Sequence, residues 1–119
     1  MNEADGTALL RARFAEAGYE IVENFHFHEG DIEVDLDGWD ARARVGYEYI
    51  TAEAGDYRQF DPPTLERFEA RMRAAELFVL LIDDHEAVTA DALDVAARGF
   101  LGELARRGLG AQPPTGATT

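Results

Sequence analysis

Apolar positions change their spacing several times along this chain, and the changes outline its elements. Over residues 7–17, Leu10, Phe14 and Ala17 recur at helical spacing, with Asp5 or Thr7 as candidate N-cap and Gly18 as the stop. From Glu20 the period becomes two: Ile21, Glu23, Phe25 and Phe27 share one parity, and Val22, Asn24, His26 and His28 the other. This predicts a strand showing Phe25 and Phe27 to the core. Glu29-Gly30 suits a two-residue turn, after which Ile32, Val34 and Leu36 alternate with Asp31, Glu33, Asp35 and Asp37. A second turn at Asp37-Gly38-Trp39-Asp40 leads to a third strand, with Ala43, Val45, Tyr47 and Tyr49 on one face.

Beyond a loop, Asp61-Pro62-Pro63-Thr64 combines cap residues with prolines tolerated only near a helix start. Leu65, Phe68, Met72 and Ala75 then predict the buried stripe of a second helix. The run Leu77 to Ile82 is apolar on both parities, which predicts a fourth strand covered on both faces and central to the core. Thr89 caps a third helix lined by Leu93, Ala97, Phe100, Leu101 and Leu104. The expected fold is a three-layer α/β domain over residues 1–109, ordered helix-strand-strand-strand-helix-strand-helix, with a disordered tail over 110–119. A right-handed crossover through the second helix sets strand four parallel to strand three, giving a mixed four-stranded sheet.

Composition narrows the function classes. The 119 residues include no cysteine and no serine, so disulfides, thiolate chemistry and a serine nucleophile are excluded. The start, MNEADGTALL, has neither a basic nor an apolar leader pattern, and no apolar run is long enough to span a bilayer, so a cytoplasmic protein without membrane contact is expected. A net charge of -13 argues against nucleic acid, because binding to phosphate backbones depends on Lys and Arg. Between Phe14 and Ala41 stand nine acidic residues and no basic one, a pattern that suits solvation, cation binding or a basic protein partner.

Turns at Glu29-Gly30 and at Gly38 to Ala41 set His26 against Glu33, His28 against Asp31, and Asp31 against Glu48, with Asp35 and Asp37 meeting Arg44 and Arg42. His26, His28, Asp31, Glu33 and Glu48 would then gather at one end of the sheet. Like charges so placed need a cation, protons or an arginine. The side chains can bond one another or reach Arg11 or Arg13, or they can hold a divalent metal such as zinc or manganese. No other cofactor is suggested, and no catalytic residue is assigned from the residues alone. Glu33-x-Asp35-x-Asp37-Gly38 imitates half of a calcium loop, but Arg44 falls where a bidentate Glu is needed. Trp39 at a hairpin tip, with Tyr57 and Phe60 in the acidic loop, could anchor a protein partner.

The order helix, three-strand meander, helix, strand over residues 7 to 83 resembles the core of the PD-(D/E)XK nuclease-like superfamily, the restriction-endonuclease-like fold. The resemblance implies Asp31 as the first metal-binding acid, Glu48 as the second and Glu16 as a supporting carboxylate. The lysine position falls on Ile50, and the chain contains no lysine at all. Degenerate members of that fold serve as binding or regulatory modules. The run DLDGWDARARVGYEYI also resembles small uncharacterised bacterial proteins, some labelled gliding motility protein, which implies no particular activity. The reading is therefore a noncatalytic acidic interaction or regulatory module with a protein partner or a homodimer. Its alternative is a metal-dependent hydrolase or nuclease using the Asp/Glu/His cluster.

Overall fold

The computed structural model of the chain describes residues 1–110. Its elements are α1 (Glu3–Glu16), β1 (Val22–Glu29), β2 (Ile32–Asp40), β3 (Val45–Ile50), α2 (Pro62–Arg73), β4 (Phe78–Asp83) and α3 (Ala90–Arg106), with a short 3-10 turn at Asp56–Arg58. The expected element order and the mixed four-stranded sheet are both present. Strands lie in the order β1-β2-β3-β4, antiparallel except for the parallel β3–β4 pair. The tail expected over 110–119 falls, after Gly110, outside the described residues.

Caps set the helix limits. Asn2 accepts a hydrogen bond from the Asp5 amide, so α1 begins before the expected Asp5 or Thr7 cap. Asp61 and Thr89 cap α2 and α3 through the amides of Thr64 and Ala92, as their sequence context predicts. α2 ends before Ala75, which turns to φ 58 and stays exposed, so Ala75 leaves the expected stripe. Gly6 of α1 meets the Tyr49 ring, where a Cβ would stand 2.5 Å from two ring carbons. A glycine inside the helix thus lets α1 sit directly on β3.

Two cores flank the sheet. Helix α2 covers Phe27, Ile32, Val34, Leu36, Trp39 and Val79. Helices α1 and α3 cover Val45, Tyr47, Tyr49 and Ile82 from the other side. Strand β3, buried at every position, is the inner strand of this second core. β4 is instead an edge strand, which corrects its expected central place; its faces are covered, but one flank has no strand neighbour among the described residues.

Both expected registers slip. Glu29 pairs with Ile32, leaving Gly30, at φ 58, and Asp31 as the turn. His28 therefore faces Glu33 and His26 faces Asp35, two residues along from expectation. The β2–β3 correction is larger: Gly38, Trp39 and Asp40 pair with Tyr47, Gly46 and Val45. Strand β2 runs through the expected turn, and the true turn is residues 41–44. Asp40 closes it by accepting hydrogen bonds from the Arg42 and Ala43 amides, with Arg44 left-handed at φ 60. Gly38 and Gly46 allow this register, because the Tyr47 ring occupies the space of a Gly38 Cβ, and the Gly38 carbonyl and the Trp39 ring that of a Gly46 Cβ.

Alternation is also broken. Ile21 packs in the α1–α3 core although Phe25 and Phe27 pack under α2, and Leu36 and Trp39 share a core despite opposite parity. Between these residues lie Asn24, at φ 51, and Asp37, which the uninterrupted count of the β1–β2 ladder sets level with each other. The hairpin rolls over there. Below that level β2 parts from β3, and the expected Leu36, Val34 and Ile32 contacts with Ala43, Val45 and Tyr47 do not form, because the two sets lie on opposite faces of the sheet.

Candidate functional site

The parting of β2 from β3 produces two separate acidic groups where the sequence suggested one. The first is on the outer face of the β1–β2 hairpin, which no helix covers. His26 Nδ1 lies 2.8 Å from Asp35 Oδ1 and its Nε2 lies 2.9 Å from Glu33 Oε2. His28 approaches Glu33 at 3.8 Å. Hydrogen bonds to Asp35 and then Glu33 raise the His26 pKa, because both favour the imidazolium, which donates from both nitrogens. Asp35 is correspondingly lowered, by His26 first and then by Gln59. Gln59 clamps this residue by accepting from the Asp35 amide and donating to its carboxylate, which ties the 51–60 loop to β2.

Asp31 and Glu48 do not join this group. Asp31, in the turn, pairs with Arg67 of α2 at 3.1 Å. Two residues earlier, Glu29 receives both terminal nitrogens of Arg44 and one of Arg71, and the Arg44 hydrogen bond leads in holding its pKa down at about 2. Glu16 lies in an exposed pair with Arg13, away from both acidic groups. The cluster of five candidate ligands is therefore divided by the register.

Glu48, only 1% exposed, belongs to the second group. Where the β2–β3 ladder stops, side chains replace it: the Asp37 amide donates to Glu48 Oε1 at 2.8 Å, and the Tyr49 amide donates to Asp37 Oδ2 at 2.8 Å. The Asp56 carboxyl reaches Glu48 from the loop, while Glu3 of α1 accepts a hydrogen bond from the Thr51 hydroxyl nearby. Burial, reinforced by Asp37, raises the Glu48 pKa strongly, and burial also raises that of Asp37. Asp37 and Asp56 were not among the sequence candidates. The signal that finds them is a pair of cross-strand contacts, Gly38 with Tyr47 and Trp39 with Gly46, in which an aromatic ring covers a glycine.

An all-oxygen set of this kind suits a hard divalent cation in its chemistry. Its geometry fits poorly. One oxygen of each central carboxyl already holds a backbone amide, and buried Ile50 stands where the nuclease-like pattern has lysine. Among the described residues, no three His, Asp or Glu side chains are arranged to hold a metal ion.

The candidate anchors also separate. Trp39 is not at a hairpin tip but inside β2, 2% exposed, with Phe27 edge-on and the Arg44 guanidinium 5.5 Å from its ring. Phe60 is buried against Phe68. Tyr57 alone stays at the surface, 39% exposed, donating its hydroxyl hydrogen bond to Asp84. No helix among the described residues is long and apolar enough to cross a membrane. Neither protein-family models, nor curated proteins, nor solved structures give a match to this chain.

Proposed function

We propose that this protein is a noncatalytic interaction or regulatory module whose open β1–β2 face receives a basic segment of a partner protein. One observation carries the reading: on that face Glu33 and Asp35 are held in place with only an imidazole between them, and no arginine neutralises them. A preformed acidic surface whose one counter-charge is titratable offers favourable exchange to an arginine, which can take a carboxylate in two hydrogen bonds.

The test is a titration of the full chain with an arginine-rich decapeptide, comparing Glu33→Gln/Asp35→Asn with Glu86→Gln/Glu103→Gln, a variant of equal charge change elsewhere. The first should weaken binding about tenfold and the second less than about twofold. Equal weakening would mean diffuse attraction to a chain of net charge -13 and would overturn the reading. The second reading, a metal-dependent hydrolase, has in its favour only the all-oxygen chemistry of Asp37, Glu48 and Asp56, which are not arranged to hold a metal ion. It would replace the first if magnesium or manganese raised the melting temperature and Asp37→Asn/Glu48→Gln abolished the rise.

A further inference from the structure

The free flank of β4 has the features of an unfinished sheet. Edge strands are ordinarily blunted by lysine, proline, a bulge or a covering segment. β4 has none of the first two, and Phe78 to Ile82 are all apolar. The Phe78 and Asp84 amides donate to Arg44 and Ile50 of the β3 side. Alternation therefore turns the backbone groups of the odd positions toward the free flank; Val79 is covered at 2% exposure, which leaves Leu81 and Asp83 as the accessible ones. That flank lies at the bottom of a cleft between α2 and α3. Met72 of α2 and Phe100 of α3 line both of the two hollows along it, whose volumes are about 320 and 440 Å³.

Charge along the cleft is polarised. The hollow at the start of β4 holds Arg73 and Arg107, with Glu103 bonded to Arg107. The hollow at the end of β4 holds Glu69, Asp83 and Glu86, with no basic residue. Arg73 makes no ion pair among the described residues. An antiparallel neighbour of the same sequence would bring the start of one β4 beside the end of the other, so each Arg73 would meet its partner's acidic end, a contact made twice in the dimer by symmetry.

We propose that the β4 edge is closed by the β4 edge of a second copy, related by a two-fold axis, giving one continuous eight-stranded sheet. The symmetry is self-consistent, because an antiparallel two-fold matches odd positions with odd positions and so pairs the outward backbone groups of both copies. Met72, Phe78 and Phe100 supply the apolar contact, and the opposed charge ends favour this direction over a parallel arrangement. This inference is independent of the basic-partner reading, since the β1–β2 face lies at the other end of the strand order.

Sedimentation velocity on the full chain tests it, from roughly 1 to 200 μM. The wild type should move as a species of twice the 13.1 kDa chain mass, with dissociation at the low end. Arg73→Glu and Glu69→Arg, each at an exposed position of α2, should each weaken the dimer about tenfold, because every contact occurs twice. Combining them swaps the charges and should restore dimerisation to within about threefold of wild type. Glu33→Gln/Asp35→Asn should leave it unchanged. A chain that stays monomeric throughout, or a dimer indifferent to both single reversals, would overturn the proposal.

Discussion

Glu48 shows how one buried carboxyl can be structural and still costly. It replaces a ladder acceptor for the Asp37 amide, but its own charge would be surrounded by Asp37, Asp56 and a low-dielectric core. Retaining a proton avoids that charge, and this links stability to pH. Because the folded state binds protons that the unfolded state has released, the contribution of Glu48 and Asp37 is full below the usual carboxylate pKa near 4 and declines as pH rises toward their raised folded values. Glu48→Gln keeps the acceptor and copies the protonated form. It should therefore raise stability by about 2 kcal/mol near pH 8 and change it little near pH 4. Denaturant melts at both pH values measure this, and an equal effect at the two would mean that Glu48 is ionised in the fold. Glu29, lowered to about 2 by Arg44 and Arg71, acts in the opposite sense, adding stability that is lost as pH falls toward that value.

At the scale of elements, caps and period changes located every helix and strand, because those signals are local. Register was not local. A glycine between Asp37 and Asp40 reads as a turn, yet Gly38 is a space left for the Tyr47 ring, and the turn is made three residues later, at 41–44, where Asp40 holds it. That difference moved Glu48 from the surface histidines to the buried Asp37. The hairpin half of the surface site was legible, since His26 and Glu33 do meet, whereas the second group required knowing where β2 leaves β3. The same logic applies to Gly6, where alanine would gain about 1 kcal/mol of helix propensity. The gain is outweighed, because the Tyr49 ring is pinned by its hydroxyl donating to the Ala87 carbonyl and cannot withdraw. Gly6→Ala should therefore cost a net of about 1 to 3 kcal/mol of unfolding free energy, measurable by urea titration; a stabilised variant would show that the ring moves.

For the whole molecule, the asymmetry of the layers matters most. Helices α1 and α3 lie over β3 and β4, so the outer half of the sheet is sandwiched on one side only. The β1–β2 hairpin is joined to the rest by α2, by three bridging pairs to β3, by the Asp37 bonds to Glu48 and Tyr49, by the Arg44–Glu29 pair and by the Gln59 clamp. Such an arrangement divides the fold into a slow part and a fast part. Hydrogen exchange in the native state should find the β3 amides protected nearly to the limit of global unfolding, and those between β1 and β2 exchanging at least about a hundredfold faster. Uniform protection would mean that the hairpin opens only with everything else. Exchange of that kind would mean that the outer half of the sheet can change its own twist while the strand behind it stays folded.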